Sequence, residues 1–313
     1  MEYTIIFEPI VLIGIMILIG ILLARITPIN DSTRQTYTLI IVNIAMPCII
    51  LSSIFKVEIN HSILKNIVLV FGLSIIINIM GILIGWLLIT VLDKKSTIKP
   101  EIALLSGLGN TGFIGIPLCA AILGPQGALY AATFDAGVDL VIWTVGVMLL
   151  QKSMKFSFNT LKSMINIPMI AIVCGLFFAF VNYRPPVIFI TLTNQLAALA
   201  SPLAMFYIGL LIMSVNKSQY SALKGKSIIP TLVKLLVLPV VVFILIRFIH
   251  VDPIIAQTLL IQAAMPALTL SSILFSKYHA NDKLGAIVTV ISTIFSLLSI
   301  PLLLLLLVKL NYF

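Results

Sequence analysis

Charge is scarce in this chain. Asp, Glu, Lys and Arg make up 9% of its 313 residues, against about 25% in soluble domains, and that excludes an ordinary solvated surface. Cysteine is sparser still. Cys48, Cys119 and Cys174 sit in apolar stretches without CxxC spacing, which excludes a disulfide framework and a cysteine zinc site. The three histidines, His61, His250 and His279, fall in loops or at the ends of apolar runs, and no HExxH, Walker A or GxSxG pattern occurs, so enzyme chemistry has no recognisable machinery. Asp135 and Asp139 do not make an intramembrane protease, whose two aspartates stand on different helices. What is abundant is apolar: 61% of the residues are hydrophobic and the mean hydropathy is +1.22. The fold class is an all-α integral membrane protein.

About 20 apolar residues cross the hydrocarbon layer, and on that measure the sequence predicts ten spans: 7–23, 37–55, 68–91, 102–123, 129–150, 165–181, 194–215, 228–248, 254–275 and 284–308. Residues 1–10 hold no Lys or Arg, so the first span reads as a retained helix rather than a signal peptide. The connections are short, the longest running from Gln151 to Ser163. Loops after odd-numbered spans carry thirteen of the 19 Lys and Arg residues, among them Arg25, Lys94, Lys155 and Lys226; the opposite side carries Lys56, Lys65, Arg184, Arg247 and Lys309. By the positive-inside rule the odd loops face the cytoplasm and both termini lie outside, in the cell membrane. The net charge of +9 is then a topology signal, with no nucleic-acid partner. The apolar surface suits a monomer or a homodimer.

Five spans per half is an odd number, so two related halves, 1–156 and 157–313, would insert as inverted repeats. Placement of proline agrees. Span 2 holds Asn43-Ile-Ala-Met-Pro47 and span 7 holds Ala200-Ser-Pro202; span 4 is interrupted at Gly109-Asn-Thr-Gly-Phe-Ile-Gly-Ile-Pro117 and span 9 at Gln262-Ala-Ala-Met-Pro266. Backbone that leaves a helix at bilayer depth survives only where protein or a wet cavity satisfies it, and paired interruptions mark the binding site of many carriers. Gly109, Gly112 and Gly115 give freedom to the backbone, Asn110 and Thr111 provide polar side chains, and Pro117 suits the first turn of a resumed helix. The amides and dipole of that helix end would seat a carboxylate. A glycine-lined packing seam is the alternative. Gln262, Met265 and Pro266 would supply the mirrored half-site; Thr269, Ser271 and Ser272 read as packing hydroxyls.

These residues, with Phe275-Ser-Lys-Tyr278 and the Asn43–Pro47 stretch, resemble the auxin efflux carriers and their bacterial relatives, often called malate or malonate permeases. The resemblance covers essentially the whole chain, in the compact form without a long central loop. It implies two inverted five-helix repeats, crossing helices 4 and 9, and a transport domain moving against a scaffold. It maps Asn110 onto a substrate-contacting asparagine and Pro117 and Pro266 onto the crossover prolines, and it suggests efflux. Its fold is similar to that of bile acid:sodium symporters, which leaves a sodium-coupled symporter open.

Few charges remain inside the spans. Asp135 and Asp139 lie one turn apart on one helix face, costly in lipid and so expected to face protein or water as a proton carrier or sodium ligand. The alternative keeps Asp135 hydrated near the outer surface, and Asp139, the deeper of the two, is then the preferred coupling residue. Lys234 could neutralise an anion, though snorkelling to the cytoplasmic surface is the preferred reading. Asn43 and Asn78 are cavity groups or helix–helix hydrogen bonds, and Gly81 with Gly85 forms a packing seam. Phe113, Phe134 and Phe206 are candidate pocket-lining rings, and Glu101 reads as solvated. The expectation is a secondary active transporter for a small organic anion, such as malate or an auxin-like carboxylate, working by alternating access. It has no cofactor beyond a coupling proton or sodium ion. A ligand sensor or channel on the same fold is the other reading.

Overall fold

The computed structural model describes residues 2–26, 30–151, 165–181, 183, 185–213, 217–249 and 251–309. Most of the expected central loop, with Lys152, Lys155 and Lys162, lies outside the described residues, as does Arg184. The described residues are helical nearly throughout, in order α1 (Glu2–Ile26), α2 (31–56), α3 (His61–Leu92), α4 (Lys99–Gly107), α5 (Thr111–Leu150), α6 (Ile167–Phe180), α7 (Val187–Ala197), α8 (Ala200–Met213), α9 (217–248), α10 (Pro253–Ala263), α11 (Ser271–Lys277) and α12 (Asp282–Lys309). Among these residues, six helical stretches are long and apolar enough to cross a membrane: Gln35–Lys56, His61–Leu92, Thr111–Leu150, Val187–Met213, Gly225–Phe248 and Asp282–Lys309. The shorter apolar helices are Gly14–Ile26, Ile167–Phe180 and Pro253–Ala263. The protein is a multi-pass membrane protein.

α5 is 40 residues long, about 60 Å if straight, twice the hydrocarbon thickness of about 30 Å. It does not run straight. Gly124 adopts φ 69° and ψ −160°, with Pro125 next, and the chain reverses there, so that Thr111 meets Asp135 across the two arms. The expected loop over Gly124–Gly127 is thus a reversal at one left-handed residue, which only glycine adopts without strain.

Three prolines bend helices in the same way. Pro47, Pro117 and Pro239 each stand two residues after the end of a π-helical turn, over Ile41–Ala45, Thr111–Gly115 and Val233–Val237. Proline offers no N–H and its ring crowds the carbonyl four residues back, and a widened turn relieves both.

Packing divides the helices into two groups, each drawn from both halves of the sequence. α1 packs on α8, and α2 on α6 and α7; α3 packs on α4 and α5, α5 on α10, and α12 on α9 and α11. There are two buried cores, the first within the group of α3–α5 and α9–α12 and the second shared between the groups. One centres on Leu73, Leu105, Phe134 and Leu260, the other on Ile17, Ile50, Met205 and Leu304. The groups meet where α5 lies on α2 and α12 on α1. Gly81 and Gly85 form the expected seam: a Cβ built on Gly81 would lie 2.7 Å from Gly107 Cα, and one on Gly85 would be 3.2 Å from Ala103 Cα. Asn78 stays within its own helix, donating to the Ser74 carbonyl at 2.7 Å.

Candidate functional site at the crossing of two broken helices

The interruption at 108–110, between α4 and α5, and that at 264–270, between α10 and α11, cross one another as extended backbone. Gly109 and Ala267 form an antiparallel bridge. Asn110 N–H donates to the Pro266 carbonyl at 2.7 Å, and Leu268 N–H to the Leu108 carbonyl at 3.2 Å. Each break thereby satisfies backbone groups of the other, which lipid would leave unpaired.

Side chains finish the crossing. Asn110, 3% exposed, donates through Nδ2 to Thr269 Oγ1 at 2.5 Å, so Thr269 is more than a packing hydroxyl. The second break rests on α12: Ala267 N–H donates to Ser292 Oγ at 3.0 Å, and Thr289 Oγ1 donates to the Leu268 carbonyl at 2.9 Å. Thr289 spends its one hydrogen there, so Ser271, 3.1 Å away, is its donor. This hydroxyl ladder was missed in the sequence, although Thr289, Ser292, Thr293 and Ser296 recur at helical spacing within an apolar run.

The glycines serve approach rather than freedom. None of Gly109, Gly112 and Gly115 has a positive φ, but each would clash if it carried a side chain. A Cβ on Gly109 would lie 2.8 Å from Lys234 Cε and 2.9 Å from its Nζ; on Gly112, 2.9 Å from both Asp135 Oδ2 and Met46 Cε. On Gly115 it would run into the Gln262 side-chain amide. Pro117 is buried in the second turn of α5, behind the π-helical turn, and not in the first turn as expected. Gln262 is fully buried and donates through Nε2 to the Ala131 carbonyl at 3.2 Å, while its Oε1 has no partner among the described residues. Met265 and Pro266 are buried beside it.

Two ionisable side chains meet the ends of the first break. Thr111 donates its hydroxyl to Asp135 Oδ1, so the carboxylate beside the start of α5 is the protein's own, and the Asp135 side chain is tied to the crossing rather than hydrated at the outer surface. Asp139 lies beyond it, its Oδ2 accepting from Asn166 Nδ2 at 2.6 Å while Asn166 Oδ1 caps α6. Both aspartates line a void of about 10 Å³ with Asn166, room for about one water molecule. At the other end Lys234, 1% exposed, donates to the Gly107 carbonyl at 3.1 Å. Snorkelling is therefore corrected: Lys234 turns inward because the π-helical turn before Pro239 aims it at the carbonyl end of α4.

Not every expected residue joins the site. Asn43 is exposed on α2, and this helix reaches the crossing through Met46 instead. Phe113 packs on Tyr207, with ring centroids 5.8 Å apart, whereas Phe134 is sealed in the α3–α5 core. Glu101 is buried, not solvated, and accepts from Asn281 N–H at 3.2 Å. A cavity of about 280 Å³ lies between the two helix groups, lined by Ile17, Ile114, Leu118, Met205, Thr293 and Ser296 among others. It adjoins the resumed arm of α5 at Ile114. A larger groove of about 390 Å³ between α9 and α12 opens outward past the exposed Leu232, Leu236 and Leu298.

Comparison with known proteins gives a family and two relatives. The family model described as "Membrane transport protein" matches residues 5–160 and 154–304. An uncharacterized transporter of Methanocaldococcus jannaschii is 27% identical over 306 residues, covering 94% of this chain and 96% of its own length. Another, of Methanothermobacter thermautotrophicus, is 25% identical over 304 residues with the same coverage.

Proposed function

We propose, because the chain belongs to the membrane transport protein family, that it is a secondary carrier for a small organic anion, malate or an auxin-like carboxylate. Family and relatives set it among transporters and not enzymes. The observation that carries the finer reading is the backbone bridge between two broken helices, closed over buried polar side chains in an otherwise apolar interior. Such a crossing has no structural economy of its own: two continuous helices would satisfy the same backbone groups without it. It is a binding device.

In this reading the ten spans form two inverted five-helix repeats, both termini lie outside the cell membrane, and efflux is the working direction. Each half gives its first two spans to the α1–α2–α6–α7–α8 group and the rest to the crossing group. The crossing group moves against its neighbour at the 280 Å³ cavity, presenting the site to one side and then the other. Asn110 and Gln262 hold the polar head of the substrate near Thr111, Gly112 and Pro117, with Met265 and Pro266 as the opposite wall. Asp135, joined to Thr111, is the coupling group, and Asp139 stands behind it. No cofactor is needed.

Uptake of labelled malate into proteoliposomes, under imposed pH or sodium gradients, tests this. Accumulation driven by a gradient, with apparent affinity falling about tenfold in Asn110→Ala while the protein stays folded, is the expected result. Unchanged affinity removes Asn110 from the site. Absence of uptake for malate, malonate and indole-3-acetate alike, from folded protein, defeats the anion-carrier reading.

A further inference from the structure

Lys234 is buried in the membrane interior, where an ammonium is costly and its presence asks for a partner. One of its three donors goes to the Gly107 carbonyl. That carbonyl belongs to the last turn of α4, the negative end of the helix dipole, about half a charge. Half a charge does not neutralise an ammonium. The three acids of the first half that are withdrawn from solvent are engaged elsewhere: Asp135 by Thr111, Asp139 by Asn166 and Glu101 by the Asn281 amide. Meanwhile the Nζ lies against Gly109, where any side chain would strike it, one residue from the Asn110 amide. The absence of a Cβ at 109 is what lets the ammonium reach the break.

We infer that Lys234 is the fixed cation of this site: it holds the carbonyl end of α4 and supplies the positive charge that pairs with the substrate carboxylate, in the place where a metal cation would otherwise be required. At the start of α5 the Thr111 hydroxyl is already given to Asp135 and, among the described residues, that end carries no free positive side chain, so a carboxylate held by Asn110 beside it finds its counter-charge at Lys234. This rests on the anion-carrier reading above, and it makes that carrier independent of sodium.

The test compares wild type, Lys234→Met and Lys234→Arg in proteoliposomes, with labelled malate, malonate and indole-3-acetate, in sodium medium and in N-methylglucamine medium of equal ionic strength. Wild-type uptake is expected to be equal in both media. Lys234→Met is expected to lose at least about tenfold in affinity for the carried anion, with Lys234→Arg retaining most of it. The neutral amide of that anion, used as competitor, should bind wild type and Lys234→Met alike, a difference that a merely structural lysine would not produce. Wild-type affinity in Lys234→Met, or equal losses for anion and amide, overturns the inference. Should Lys234→Met not fold, the wild type alone decides: uptake that collapses without sodium, or a melting temperature of the purified protein raised by sodium over N-methylglucamine, overturns it, and no response in either supports it. Transport that persists with the inference overturned leaves the carrier reading standing, whereas no uptake of any anion removes both.

Discussion

The two breaks that cross at Gly109 and Ala267 are built from the same backbone material and are secured by different chemistry. The first is secured by charge, with Lys234 against the carbonyl end of α4 and Asp135 against the start of α5. The second is secured by neutral hydroxyls, Ser292 and Thr289 of α12, with Thr269 receiving Asn110. Charges placed at helix ends respond to protons, ions and anions; hydroxyls in hydrocarbon do not change state. In the function proposed above, the first break is the responsive half of the site and the second its frame.

This contrast can be broken from either side. The largest effect is expected at Asp135: Asp135→Asn keeps the shape and leaves Thr111 a partner, yet should lower pH-driven accumulation by about tenfold or more, in line with the coupling role proposed above for this intramembrane acid. Uptake measured across imposed pH gradients would show it, and a wild-type profile would make Asp135 structural. Smaller, and of another kind, is the effect of Ser292→Ala, which strips the buried Ala267 N–H of its acceptor. It should cost about 1–3 kcal/mol in stability, read as a lowered melting temperature, with the pH profile and apparent affinity unchanged. A shifted pH profile would place the second break among the responsive parts. Smallest is Thr269→Val, which removes one hydrogen bond to Asn110 for about 1 kcal/mol; melting should move slightly and affinity by a few-fold, less than in Asn110→Ala.

Much of this was legible before any coordinates. Membrane class follows from composition because a chain with so few charges has no other solvent. Both interruptions fall in the stretches expected, since glycine, asparagine and proline inside a spanning run have few structural uses, but Pro117 stands in the second turn after the break, behind a π-helical turn, and not in the first. Local pattern failed where direction mattered. Asn43 and Met46 stand three residues apart in one helix, and only the packing of α2 on α5 decides that Met46 touches the crossing. Lys234 lies near enough to one end of its span to be expected to snorkel, and nothing in its local sequence announces the carbonyl it meets 127 positions earlier. The glycines were read for flexibility, whereas their φ values are ordinary and their use is contact.

By itself, then, the sequence determined a membrane-embedded helical chain with two interruptions, because hydrophobicity and helix-breaking chemistry are local properties that each residue carries wherever it is placed. Only the tertiary structure decided that the interruptions cross, that Asp135 and Lys234 serve opposite ends of one of them, and that a hydroxyl ladder on α12 braces the other. Those are pairings between residues 24 to 159 positions apart. A buried polar group must find its partner somewhere, and which partner it finds is fixed by how the helices pack.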